Sequence, residues 1–234
     1  YEHFMLKEIN EQPKAIRETI GTRLNGSKVC FDELNFSKEY LESLNKIYIV
    51  ACGTAMHAGL VAKNIIEKLC KIPVEVDIAS EFRYRDPLID NKTLTIYISQ
   101  SGETADTIAA LKLAREKGAK TLAISNVIGS SITREADYSI YTHAGPEIAV
   151  ASTKAYTSQV TMLTLIALYF AEILERGNMK KVEALKKDLL KLPEKAEKVL
   201  KNTSEIKKFA KRVHKEKDMF FLGRGVDYAV SLEG

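Results

Sequence analysis

Residues Thr93 to Lys117 read TLTIYISQSGETADTIAALKLAREK, and the reading of this stretch decides the fold. The alternating run Leu94-Thr95-Ile96-Tyr97-Ile98 has the period of a strand, and Ala105 to Lys117 has that of a helix. Between them lies Ser99-Gln100-Ser101-Gly102-Glu103-Thr104. A turn of this composition directs backbone N–H groups and three hydroxyls into one small volume. The adjoining helix start adds partial positive charge, so an anion can settle there. No Lys or Arg lies inside the turn. It therefore matches neither the nucleotide P-loop, which needs a Lys for the outer phosphates, nor the glycine pattern of a dinucleotide site. A phosphomonoester on a small molecule fits better. The plain alternative is that Thr104 only caps the helix while the serines satisfy turn amides.

The chain has 234 residues, 45% of them hydrophobic, which suits one large domain or one domain with appendages. The longest apolar stretch, Val160 to Ile173, is interrupted by Thr161, Thr164 and Glu172 and reads as a buried helix, not a membrane span. The chain begins at Tyr1, and Tyr1-Glu2-His3 carries no targeting logic, so a piece of a longer polypeptide is expected. Cys30, Cys52 and Cys70 have no paired metal-ligand spacing and read as reduced thiols of a cytoplasmic protein. His3, His57, His143 and His214 form no metal pattern, and no metal or cofactor is expected. Much of the net charge of +4 comes from Lys180 to Lys217, where lysines alternate with glutamates at helical spacing. That is a solvated helix face and not a nucleic-acid surface.

From Phe4 to Leu24 apolar residues recur at three and four, predicting an amphipathic helix that Pro13 bends or restarts and that needs a partner surface. A short helix, Ser37 to Leu44, precedes an alternation of strands and helices. The strands are Ile47–Ala51, Val74–Ile78, Leu94–Ile98, Thr121–Ser125 and Tyr138–Tyr141; the helices are Met56–Leu69, Ser80–Tyr84, Ala105–Lys117 and Ser152–Glu175. This order predicts an α/β fold, a doubly wound and mainly parallel five-stranded sheet with a helical arm before it and helices after it. After Gly177 the pattern is helical, with Pro193 dividing one helix from the next. A strand, Met219 to Leu222, then leads into Gly223-Arg224-Gly225 and a new helix that runs to Gly234. Leu222-Gly223-Arg224-Gly225 aligns with Ala51-Cys52-Gly53-Thr54 at an offset of 171 residues, from position 51 to position 222. The expected division is an arm over 1–45, a binding domain over 46–176, a connector over 177–217 and the opening of a second copy over 218–234.

Three loops follow predicted strands: Cys52 to Ala55, Ser99 to Thr104, and Ala144 to Lys154. If the strands before the first two flank the point where sheet order reverses, all three converge on one pocket. Ser152-Thr153 reads as a helix cap with amides free for a ligand, and Glu147 is the carboxylate best placed to touch a sugar there. Glu103, at a helix N-terminus, should favour its charged form.

These segments resemble the first sugar isomerase (SIS) domain of the glutamine–fructose-6-phosphate aminotransferase family. The likeness rests on Phe4 to Ile9 with Glu11-Gln12-Pro13, on Ala51 to Thr54, Ser99 to Thr107, Ala144 to Glu147, Val150 to Gln159, and Phe221 to Gly225, in the family's order. It implies a flavodoxin-like domain that binds the phosphate of fructose 6-phosphate or glucosamine 6-phosphate through Ser99, Gln100, Ser101 and Thr104. Cys52, Gly53, Thr54, Val150 and Ser152 would line the sugar, with Glu147 and Lys154 as further candidates. Ala55 stands where the family commonly has Ser, removing a hydroxyl near the phosphate, and Ala149 where Gly is usual. The family's glutaminase domain lies before the matched region. Its catalytic glutamate, histidine and lysine lie after that region, so they are expected beyond Gly234, with no catalytic residue inside this chain. The resemblance thus implies binding here, with catalysis in the parent enzyme, which turns fructose 6-phosphate and glutamine into glucosamine 6-phosphate and glutamate. A non-catalytic phosphosugar-sensing domain is the competing reading, disfavoured by the absence of a basic helix-turn-helix pattern. A homodimer is expected from the apolar faces of the arm and of the long helix.

Overall fold

In the computed structural model, which describes residues 1–26 and 28–234, the chain begins with α1 (Phe4–Ile20), a short antiparallel pair β1 (Leu24–Asn25) and β2 (Lys28–Val29), and α2 (Lys38–Ser43). The alternating region follows: β3 (Lys46–Ala51), α3 (Thr54–Cys70), β4 (Val74–Ile78), α4 (Ala79–Tyr84), β5 (Thr93–Ser99), α5 (Ala105–Glu116), β6 (Lys120–Ser125), α6 (Ser131–Glu135), β7 (Tyr138–Tyr141) and α7 (Lys154–Leu174). The chain ends in α8 (Met179–Leu190), α9 (Leu192–Lys201), α10 (Ser204–Val213) and α11 (Val226–Glu233).

β3 to β7 form one five-stranded sheet, all parallel, in the order β4-β3-β5-β6-β7. From β3 the chain steps outward to β4, then crosses back to β5 on the other side of β3. The carboxyl ends of β3 and β5 therefore flank the reversal, and a crevice opens between them. The two-residue period of the strands sorts the core into two layers. Ile47, Ile49, Leu94, Ile96 and Ile98 pack with α3 and α7, while Tyr48, Val50 and Tyr97 pack with Phe82 of α4 and Leu111 of α5.

α7 is long and apolar enough to cross a membrane by length and composition. Here it is a core helix, covered by α1, α2, α3 and α8, with Met162, Leu163, Leu165, Ile166 and Leu168 fully buried. Ala15, Ile16 and Ile20 of α1 are buried on its surface side, so the arm finds its partner surface within the chain. Part of the apolar face of the arm is covered in this way, while Phe4, Met5 and Leu6 at its start stay exposed.

Four local expectations differ from the structure. Pro13 does not restart α1, which is one helix stopping at Ile20. The Ile9 carbonyl, which Pro13 cannot serve, accepts the Gln12 side-chain amide at 3.1 Å instead. α6 and the β1–β2 pair carry no periodic signal in so few residues. No strand forms over Met219 to Leu222 among the described residues: Phe220 and Leu222 are exposed, and a strand without a neighbouring ladder has nothing to satisfy its backbone. A local likeness to the β3–α3 turn lies one residue further on. Gly225 (φ 65°, ψ −123°) and Gly53 (φ 54°, ψ −136°) are both helix N-caps in a conformation open only to glycine, so the local match pairs position 53 with 225. Within the lysine-rich region α10 is fully solvated as expected, but Lys186 of α8 is buried and paired with Glu172 at 2.6 Å and with Glu183.

Candidate ligand-binding site

The crevice between β3 and β5 holds a cavity of about 300 Å³, at the lower end of small-ligand sites (roughly 300–1,000 Å³). Cys52, Thr54, Ser99, Gln100, Ser101, Thr104, Glu147, Val150 and Ser152 line it, together with Ala55, Ile98, Ala149 and Gln159. The three loops thus meet at the reversal of sheet order. No Lys or Arg is among these lining residues, so charge complementarity for an anion must come from backbone N–H groups, hydroxyls and helix ends.

At the β5 side, Thr104 is the N-cap of α5, yet its hydroxyl makes no bond to the helix. It lies 3.0 Å from the Ser99 hydroxyl, which itself accepts the Gly102 N–H at 3.0 Å. The Ser101 hydroxyl accepts the Glu103 N–H at 3.2 Å. The simple capping role considered for Thr104 is therefore not the one it plays. Gly102 has φ +70°, and a Cβ there would stand 2.1 Å from the Ser130 hydroxyl. Only glycine lets the turn close against that loop. Glu103 leaves the cavity and accepts the Ser131 N–H at 2.8 Å, at the start of α6 and not of its own helix. Hydrogen bonds from Ser131, with Arg134 nearby, hold its carboxyl below the usual range.

The loop before α7 is braced from two sides. Glu147 accepts the Thr153 N–H at 2.8 Å, the Ala155 N–H at 3.2 Å and the Ser152 hydroxyl at 3.0 Å. This corrects the expectation that the α7 amides are free for a ligand: Thr153 makes no side-chain cap, and Glu147 takes that place. Glu8 of α1, itself buried, accepts the N–H groups of Ile148 at 2.6 Å and Ala149 at 3.2 Å. Lys154 is not brought to the cavity. It is buried against α1, where its ammonium donates to Glu11 at 2.6 Å, and that bond is the main reason the Glu11 carboxyl titrates below its ordinary value.

On the β3 side Gly53 turns the chain into α3 between Cys52 and Thr54, without itself lining the cavity. The Thr54 hydroxyl donates to Glu233 of α11 at 2.9 Å, and the same carboxylate lies 2.7 Å from His57 Nδ1. The next residue, Gly234, is the C-cap of α11, donating its N–H to the Val230 carbonyl at 3.3 Å, and it does not line the cavity. Glu233, just before it, thus reaches the rim of the cavity through Thr54. Sequence reasoning missed Glu233 at this rim and Gln159 in the wall. Glu233 has no local spacing to link it with position 54, and Gln159 sits in a helix that reads as core.

The SIS domain model matches residues 40–169. The chain is 60% identical over its whole length to glutamine–fructose-6-phosphate aminotransferase [isomerizing] of Clostridium tetani, covering 39% of that protein, and 57% identical to the Clostridium perfringens enzyme, covering 38%. It thus spans about two fifths of these relatives. Among solved structures, the C-terminal domain of glucosamine-fructose-6-phosphate aminotransferase from Francisella tularensis superposes with a TM-score of 0.93 at 39% identity, covering all of this chain and 66% of that one. The parallel sheet, the crevice at its reversal and the match across more than half its length establish that the chain belongs to the SIS domain family.

Proposed function

We propose that the cavity binds a hexose 6-phosphate, fructose 6-phosphate or glucosamine 6-phosphate, as the first SIS domain of a glutamine–fructose-6-phosphate aminotransferase. Ser99, Gln100, Ser101 and Thr104 hold the phosphate; Cys52, Thr54, Val150 and Ser152 face the sugar, with Gly53 contributing the backbone turn that sets Cys52 and Thr54 in place. The observation that carries the reading is the Thr104 hydroxyl, turned from its helix toward Ser99 and leaving the first N–H groups of α5 uncapped over a cavity that no cationic side chain lines. The relatives' names supply the chemistry, amino transfer between glutamine and fructose 6-phosphate with isomerisation, and glucosamine 6-phosphate is the product that the family resemblance implies. In that reading residues 46–176 are the binding domain, 1–45 its arm, 177–217 a connector and 218–234 the opening of a second copy, a division supported by the paired glycine caps at 53 and 225. A cytoplasmic setting agrees with three free thiols.

Residues 1–234 alone bind without turnover, and the groups that move protons belong to segments of the parent enzyme beyond Gly234. Isomerisation needs a base within hydrogen-bond reach of a carbon-bound proton, and Glu147, the carboxylate lining the cavity, spends both oxygens on Ser152, Thr153 and Ala155. Titration calorimetry with fructose 6-phosphate, glucosamine 6-phosphate and free fructose tests the binding. A phosphate requirement is expected, with Ser101→Ala and Thr104→Ala each weakening binding by about 1–3 kcal/mol. Equal binding of free fructose refutes the site, and turnover by residues 1–234 that Glu147→Gln abolishes refutes the assignment of the base elsewhere.

A further inference from the structure

Among the described residues, buried polar atoms without a hydrogen-bond partner gather at the start of α7: Thr153 Oγ1, Tyr156 OH, Ser158 Oγ and Gln159 Oε1. Of these four residues Gln159 lines the cavity, and it is 4% exposed. An amide oxygen removed from water and left unpaired costs free energy that folding does not return, whereas an apolar side chain of the same size would cost nothing of the kind. The position therefore carries an acceptor whose partner is not supplied by the fold.

The chemistry of that partner follows from what the atom is. A carbonyl oxygen accepts and cannot serve phosphate oxygens, which are acceptors themselves. The phosphate-suited groups, Ser99 to Thr104, follow β5, while Gln159 lies on α7, the helix entered from the loop that brings Val150 and Ser152 to the same cavity. We infer that Gln159 accepts a hydrogen bond from a hydroxyl of the bound sugar phosphate and so selects for the polyol end of the ligand. This rests on the hexose-phosphate reading above and adds to it a residue that decides which phosphomonoesters are held.

The test combines calorimetric titration of the 234-residue chain with its unliganded melting temperature, for wild type, Gln159→Leu and Gln159→Met. The probes are fructose 6-phosphate and inorganic phosphate. Both variants should weaken fructose 6-phosphate by roughly five- to tenfold, the scale of one unmade hydrogen bond, leave inorganic phosphate within about twofold, and melt no lower than wild type because the orphaned oxygen is gone. A merely structural glutamine would lower the melting temperature and weaken both probes together. If Leu cannot be accommodated, Met, unbranched like Gln, decides. Fructose 6-phosphate binding within about twofold of wild type in the folded variants, parallel loss of both probes, or a lowered melting temperature in both variants overturns the inference while the hexose-phosphate site stands. A wild-type chain that binds inorganic phosphate but not fructose 6-phosphate, or neither, overturns the site reading and this inference with it.

Discussion

Replacing Glu8 by Gln perturbs the cavity from the far end of the chain. The Glu8 carboxylate is 2% exposed and accepts the Ile148 N–H at 2.6 Å and the Ala149 N–H at 3.2 Å, the second shared with its other oxygen at 3.3 Å. Both N–H groups share one carboxylate oxygen, so a glutamine carbonyl in its place keeps both only as weaker, neutral bonds, while its NH₂ group replaces the other oxygen 3.3 Å from the Ala149 nitrogen and sets donor against donor. A hydrogen bond to a charged group contributes about 1.5–3 kcal/mol, and an unpaired buried N–H costs a similar amount. A local loss of about 2–3 kcal/mol follows, which is roughly 30- to 150-fold in the opening equilibrium of the loop, at 1.4 kcal/mol per decade. Because Glu8 touches the loop and not the sheet, that loss should stay local. Amide hydrogen exchange reads it directly: the peptide spanning Ala144 to Thr153 should exchange faster by about that factor, while peptides from β5 and β6 keep wild-type rates. Unchanged exchange at Ile148 and Ala149, or a uniform acceleration through β5 and β6, would refute the reasoning.

Two further outcomes are expected. Gly102→Ala should destabilise by at least about 2 kcal/mol in urea unfolding, since a left-handed backbone alone costs about 1–2 kcal/mol and the new Cβ meets the Ser130 side chain at 2.1–2.5 Å; wild-type stability would show that the turn relaxes freely. His143 titrates below its ordinary value, first because it is desolvated and then because Arg23 is near, so the unfolded chain takes up its proton before the folded one does. Stability should therefore fall as pH drops through about 6.5, by at most about 1.4 kcal/mol per pH unit from this one group. His143→Asn, which tolerates φ +56°, should flatten that segment of the urea-midpoint profile between pH 7.5 and 5.5; an unchanged slope would rule out His143 as its source.

The strands and the helices around them are legible because both faces of the sheet are buried: Ile47, Ile49, Leu94 and Ile96 on one side and Tyr48 and Tyr97 on the other leave a two-residue period no surface could erase. Sequence also points to the loop positions, because hydroxyls and glycines at strand ends are chemically conspicuous. It cannot say which polar groups the fold uses for itself. Glu147 and Lys154 read alike as candidates at one loop, yet the first is consumed in capping α7 and the second in an ion pair with Glu11, more than 140 positions away. Met219 to Leu222 has the composition of a strand but no neighbour to pair with, and pairing is a property of the whole sheet.

The caps explain why an anion site without a cation is physically reasonable here. α2 and α8, both away from the cavity, are capped by the side chains of Ser37 and Asn178. The three helices that start at the cavity, like α1, α4, α6, α9, α10 and α11, receive none from their own N-cap residues: Gly53 has no side chain, Thr104 turns to Ser99, and the Thr153 hydroxyl makes no cap. One of the three, α7, is then closed by Glu147. That leaves the positive ends of α3 and α5, side by side at the reversal between β3 and β5, without a protein carboxylate on their first N–H groups. A phosphate placed there meets fixed dipoles and hydroxyls, not a mobile ammonium, so its position follows the sheet. In the proposed reading the polyol would extend toward a loop whose own position is fixed by Glu147 and by Glu8 of the arm. Because that loop hangs on α1, the arm supports the proposed site: cutting away residues 1–20 would remove both the Glu8 bonds and the partner of Lys154, and would loosen the Ala144 to Thr153 loop before it disturbed the turn after β5.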